Sequence, residues 1–102
     1  MRVGRVIGKV VLGDGVPAYR GGRWLLVSPC DRAALADPET VRVSAEPSLV
    51  VYDDLGAGPG DLIGFTEGGE ATRPFDRPMP VDAYNCCLLD RVTLDPRYLS
   101  AS

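Results

Sequence analysis

Two short stretches, "WLLV" at 24–27 and "CCLL" at 86–89, are apolar at consecutive positions inside segments of strand length. Successive side chains of a strand point to opposite faces, so both faces of these strands carry groups that prefer to leave water. One small barrel buries only one of the two. With no long helical pattern in the chain to cover the other, a second copy of the protein is the expected cover.

The rest of the chain supports that reading. Val3, Val6, Ile7, Val10, Val11 and Leu12 make Arg2 to Gly13 a long first strand, with Gly4 and Gly8 as points where a barrel strand can bend. "GVPAYRGG" at 15–22 is turn chemistry, and "RWLLVSP" from Arg23 is a second strand ended by Pro29. Between 30 and 47 the pattern weakens to an excursion on the surface, in which "DRAALAD" suits one helical turn and "TVRVS" alternates like a short strand. "LVVYD" at 49–53 and "DLIGFTE" at 61–67 read as third and fourth strands joined by a connection of hairpin length. A turn-rich stretch then leads to "NCCLLDRVTL" at 85–94, the fifth strand, and "DPRYLSAS" reads as a tail, so the expected division is one domain over 1–94 and a tail over 95–102. Five strands with little helix predict an all-β fold, a small closed or nearly closed barrel with short helical turns, in which closure hides the strand edges.

Composition removes several functions. A chain of 102 residues with formal net charge −3 repels a polyphosphate backbone, so nucleic acid is not an expected partner. No apolar run approaches the roughly 18 residues of a membrane span, and "MRVGRVIGKVVLG" carries charge inside its apolar stretch, so neither a membrane nor a secretion signal is expected. Cys30, Cys86 and Cys87 make an odd number without CxxC spacing, which points to a reducing cytosol and to thiols that stay free, mostly buried and idle. Neighbours in a strand project to opposite faces, so Cys86 and Cys87 are not expected to share a metal. The chain has no histidine, which removes the commonest general base and the commonest zinc ligand together.

"YDDLGAGPGD" at 52–61 is the stretch that most resembles a ligand site. A dinucleotide fingerprint needs GxGxxG, yet Asp61 stands where the third glycine belongs, and no helix is expected to open there. The loop reads instead as a tight turn or a close backbone approach between subunits. Asp53, Asp54, Asp82 and Asp90 are the carboxylates left for acid or base chemistry, but adjacent Asp53 and Asp54 diverge along a strand and suit hydrogen bonds to turn amides.

In order, "MRVGRVIGKVV", "RWLLVSPCD", "VVYDDLGAGPGDLIGFTEGGEATR" and "PVDAYNCCLLDRV" resemble the EutN/CcmL family of bacterial microcompartment vertex proteins. The most specific pieces are the Asp-x-x-Gly-Ala-Gly loop with its Gly60-Asp61 exit, Ala71-Thr72-Arg73, and Pro80-Val81-Asp82 ahead of an apolar strand. Asp54 stands where the family commonly has asparagine, and 31–48 is longer than usual. The resemblance implies an OB-like barrel without catalytic activity or cofactor. It also implies a ring-shaped homopentamer at the corners of a polyhedral shell in the bacterial cytoplasm, with hexameric and trimeric shell proteins as partners. Gly56, Ala57, Gly58, Gly60, Arg73, Pro80, Val81 and Asp82 would then serve at subunit interfaces or in loop geometry. The competing reading is an OB-like module for a small ligand or a single strand. That would need a basic groove with exposed aromatics, against seven aromatics and an acidic balance here.

Overall fold

The computed structural model describes residues 1–11, 22–68, 71, 82–95 and 97. Five strands, β1 (Arg2–Val10), β2 (Arg23–Pro29), β3 (Leu49–Asp53), β4 (Leu62–Glu67) and β5 (Ala83–Leu89), and one short helix, α1 (Arg32–Ala36), carry the fold. The strands close into a barrel in the order β1-β2-β3-β5-β4, the all-β architecture expected. β1 serves two neighbours, pairing Arg2–Arg5 with β4 and Gly4–Val10 with β2. A register shift between Val6 and Gly8 bends it near the second of the anticipated glycines.

Alternation sorts the side chains. Val6, Leu25, Val27, Val51, Ala57, Ile63, Phe65 and Ala83 fill the interior, with Leu49 packed against them. At about 1.5–3 kcal/mol for each large apolar side chain removed from water, this set drives closure. The outer face of β2 and β3 is aromatic: Trp24 meets Tyr52 edge-on at 5.3 Å, Tyr52 stacks against Tyr84 at 6.3 Å, and Tyr52 is buried. These contacts lie at the thinnest part of the ring, because β3 and β5 run parallel and share the single paired position Tyr52↔Tyr84.

Four expectations need correction. β3 and β4 are not a hairpin, since β5 lies between them in the ring and the glycine loop carries the chain past it. "TVRVS" forms no strand. Ser44 docks on β2 instead, its amide donating to Ser28 Oγ at 2.9 Å and its hydroxyl donating to the Pro29 carbonyl at 2.5 Å. β5 starts two residues earlier and ends five residues earlier than the 85–94 expected, at Ala83 and Leu89. The first strand ends at Val10, short of the Gly13 expected, and residues 12–21 lie outside the described residues.

The excursion between β2 and β3 is more than a surface loop. Asp31 caps α1, its carboxylate accepting from the Ala34 amide at 2.9 Å. Beyond the helix the chain crosses the outer face of β1, where the buried Arg5 guanidinium donates to the Pro38 carbonyl. The chain thus covers part of its own outer face, which the reading from sequence assigned wholly to a second copy.

Candidate functional site

Asp53, the last residue of β3, organises the glycine loop. Its fully buried carboxylate accepts from the amides of Leu55 (3.0 Å), Gly56 (3.0 Å) and Ala57 (2.9 Å), and from Asn85 Nδ2 (2.8 Å). Three amides converge because the chain reverses immediately after the strand, with Gly56 at φ 92°. That backbone is strained for any residue bearing a Cβ. Charge-assisted bonds of this kind are the stronger ones; three hold the loop on Asp53 and the fourth, from Asn85, ties Asp53 to the fifth strand. The expectation that Asp53 binds turn amides holds, and Asp54 goes elsewhere, accepting from the Tyr84 hydroxyl at 2.9 Å.

The far end of the loop is tied to β1. The Gly60 amide donates to the Val6 carbonyl at 2.7 Å, the Val6 amide donates to the Asp61 carbonyl at 2.9 Å, and Arg5 donates to the Gly60 carbonyl at 2.8 Å. Gly60 has φ 95°, whereas Gly58 does not adopt positive φ; its amide is held by Asp61 Oδ2 at 2.9 Å. Ala57 is fully buried in the core. Gly56, Ala57, Gly58 and Gly60 are thus brought together in one hydrogen-bonded connection, of which Ala57 alone is buried, and Asp61 is spent on the loop's own amide. A phosphate-binding arrangement would need those amides free.

Asp82 lies just before β5, its carbonyl accepting from the Gly68 amide at 2.8 Å. Arg73, Pro80 and Val81 lie outside the described residues. Reading the sequence missed Asn85, Arg5 and Ser28. The signal for Asn85 was a polar residue inside the apolar run of β5, since such a group is buried only with a partner.

Beside Arg5 runs a groove of about 780 Å³ between the excursion and the chain after β5, with Leu35, Val41, Leu62, Leu89, Val92 and Leu94 among its walls. Val41 is 56% exposed and Leu88, half-exposed, stands at the neighbouring end of β5. Arg5, Glu39, Asp61, Asp90, Arg91 and Thr93 also line the groove, a mixture of apolar and charged groups of the kind that protein contacts use.

The thiols depart from expectation. Cys86 is exposed, Cys30 and Cys87 are half-buried, and all three are free. The burial expected of Cys86 fails because the outer face of β4 and β5 has no cover among the described residues beyond Met1. Burial pushes the Cys30 thiol above its ordinary range, with Arg5 opposing and Asp31 adding to the shift. Among the described residues no group of three or more His, Cys, Asp and Glu side chains is placed to hold a metal ion, and no helix is long and apolar enough to cross a membrane. A carboxylate with four donors already on it, as Asp53 has, offers no lone pair well placed for general base work.

A search of curated proteins returned no significant match. Among solved structures, the fold is similar to CcmL of Gloeobacter violaceus at 30% identity and a TM-score of 0.73, covering 93% of this chain and 91% of that one. It is also similar to the GrpN pentameric microcompartment shell protein from Rhodospirillum rubrum (24% identity, TM-score 0.74, 93% and 100% covered). The Escherichia coli ethanolamine utilization protein EutN shares the architecture too (21% identity, TM-score 0.75, 92% and 89% covered). The family model described as "Ethanolamine utilisation protein EutN/carboxysome" matches residues 1–90, which hold all five strands of the barrel, and on that match the chain belongs to the EutN/CcmL family.

Proposed function

We propose that this chain is a structural shell protein of a bacterial microcompartment: a homopentamer, lodged in the shell within the cytoplasm, that caps its five-fold corners. The single observation that carries the reading is the family match over residues 1–90, which spans all five strands. A sheet of hexagonal tiles cannot close by bending alone, so five-sided units are needed where curvature concentrates. A ring of small barrels supplies one, and the role asks for no catalysis and no cofactor.

The groove beside Arg5 is where a neighbouring copy would seat, its mixed apolar and charged walls meeting part of the next barrel head to tail. Residues 1–94 act as the single barrel domain, with 95–102 as a tail. Hexameric and trimeric shell proteins are the partners at the pentamer's edges, through contacts individually modest and secured by many simultaneous neighbours. The glycine loop contributes geometry to the assembled ring, as do Arg73, Pro80, Val81 and Asp82.

The alternative, an OB-like binding module, finds little support in the aromatic residues. Tyr52 is buried, and Trp24 and Tyr84 are engaged with it, so they offer no free stacking platform.

Native mass spectrometry of the purified protein should give five times the chain mass, and Val41→Asp should reduce it to monomer. Co-expression with a cognate hexamer should give closed polyhedra with density for the protein at the corners. Open or elongated shells are expected without it. Unchanged shells that exclude the protein, or a stable wild-type monomer at micromolar concentration, overturn the assignment.

A further inference from the structure

Strand alternation would send Cys86 and Cys87 to opposite faces, but β5 is bulged at this point. Phe65 pairs with Asn85 and Gly64 pairs with Cys87, so Cys86 is an extra residue with no partner across the ladder. Ile63 and Phe65 point into the core, so Gly64 and Thr66 belong to the outer face of β4. Cys86 Sγ lies 3.6 Å from Thr66 Oγ1, and Cys87 Sγ lies 4.0 Å from the Gly64 carbonyl oxygen. Both thiols therefore emerge on the same outer face.

A third sulfur lies beside Cys87. Met1 Sδ is 3.8 Å from Cys87 Sγ. Metal–sulfur bonds of roughly 2.3 Å set two ligand sulfurs on one ion about 4 Å apart, so these two already stand at a shared-ligand spacing. The space exists only because residue 64 is glycine: a Cβ there would come 2.7 Å from Met1 Sδ and 2.8 Å from Cys87 Sγ. The thiols are not expected to close on each other, because adjacent Cα atoms across a trans peptide are about 3.8 Å apart, short of the roughly 4.4 Å that a disulfide usually needs.

We propose that Cys86, Cys87 and Met1 bind one soft monovalent cation of the copper(I) type on the outer face of β4 and β5. Thiolate and thioether donors select such an ion, whereas zinc closes four positions with thiolate, imidazole or carboxylate ligands, and among the described residues no third such side chain joins the two thiols. Binding exchanges two thiol protons for one Cu⁺, giving a site of net charge −1 and two protons released, with no change of oxidation state. The site does not depend on the shell reading.

The test is an anaerobic titration of the purified full-length protein with copper(I) supplied as its bicinchoninate complex, followed by loss of that complex's colour and by native mass spectrometry. One copper per chain is expected. Cys86→Ser and Cys87→Ser should each abolish competition with bicinchoninate, and Cys30→Ser should leave it unchanged. Gly64→Ala should weaken binding about tenfold with both thiols retained. Circular dichroism checks each variant; should Gly64→Ala fail to fold, the serine variants decide. No transfer of copper, binding that survives both serine variants, loss in Cys30→Ser, or one ion shared between two chains overturns the proposal. The same spectra report the oligomer. A pentamer without copper fails this site alone, and a copper-bound monomer fails the shell reading alone.

Discussion

The two sides of this barrel's outer surface are built differently. Around Arg5 and Ser28 the chain folds back over itself, and the cover is polar: Arg5 donates to the carbonyls of Gly60 and Pro38, and Ser28 and Ser44 bond to each other. Around Gly64 and Cys87 the described residues lay only Met1 over the strands, and sulfur and methyl groups meet solvent. A chain that covers itself must satisfy the backbone it buries, so hydrogen bonds accumulate there. An uncovered face carries no such obligation and stays free for another molecule. The difference predicts that substitutions on the sewn side cost more stability than substitutions on the bare one.

The largest blow to the sewn side is Asp53→Ala. It strands three loop amides and the Asn85 side chain at once, and urea unfolding should show a loss of about 4 kcal/mol, with Asp53→Asn intermediate. Arg5→Ala comes next at about 2 kcal/mol, since two half-buried carbonyls lose a charged donor. Within the loop, Gly60→Ala should cost about 1–2 kcal/mol in thermal unfolding because of its positive φ, while Gly58→Ala should be nearly silent. Equal effects at the two glycines would break the account of the loop. A direct comparison of the two sides follows: Ser28→Ala should lose about 1 kcal/mol, and Cys86→Ser on the bare face should change stability by less than about 0.5 kcal/mol. If the cysteine variant proves the more damaging, the division into sewn and bare sides is wrong.

The smallest effect is one of pH. Tyr84 is pushed up to about 12, first by burial and then by its hydrogen bond to Asp54, whose charge also opposes ionisation. The folded state holds this proton more tightly than the unfolded chain, which releases it near pH 10. The associated stability is therefore fully present below about pH 10 and is lost as pH rises towards 12. Spectrophotometric titration should find one tyrosine ionising late, and Asp54→Asn should bring it down.

Much of this was legible in the residues. β2 and β3 have the limits their punctuation suggests, because Pro29 ends one and the Asp53 turn ends the other. "DRAALAD" contains its helix, because Asp31 is a good cap. The failures share a cause: they depend on a partner far along the chain. "TVRVS" alternates like a strand, yet no free edge awaits it, and Ser44 finds Ser28 instead. The loop after β3 has hairpin length, but β5 displaces β4 from its side. At Cys86 the local pattern says alternation, and only pairing with Gly64 and Phe65 reveals the extra residue. In the candidate site, Asp53 was foreseen as a turn acceptor from its position. Asn85 and Arg5 were not, since their partners lie 32 and 55 residues away.

The single pairing between β3 and β5 has a consequence for the newly made chain leaving the ribosome. Until residues 83–89 emerge, Asp53 can hold its three amides but lacks Asn85, and β4 has β1 alone beside it. The ring stays open through most of translation, with two exposed strand edges of the kind that recruit other chains. Asn85 and Tyr84 arrive late and close it together. A nascent chain stalled before residue 83 should therefore be aggregation-prone, and one extended past residue 89 should be protected.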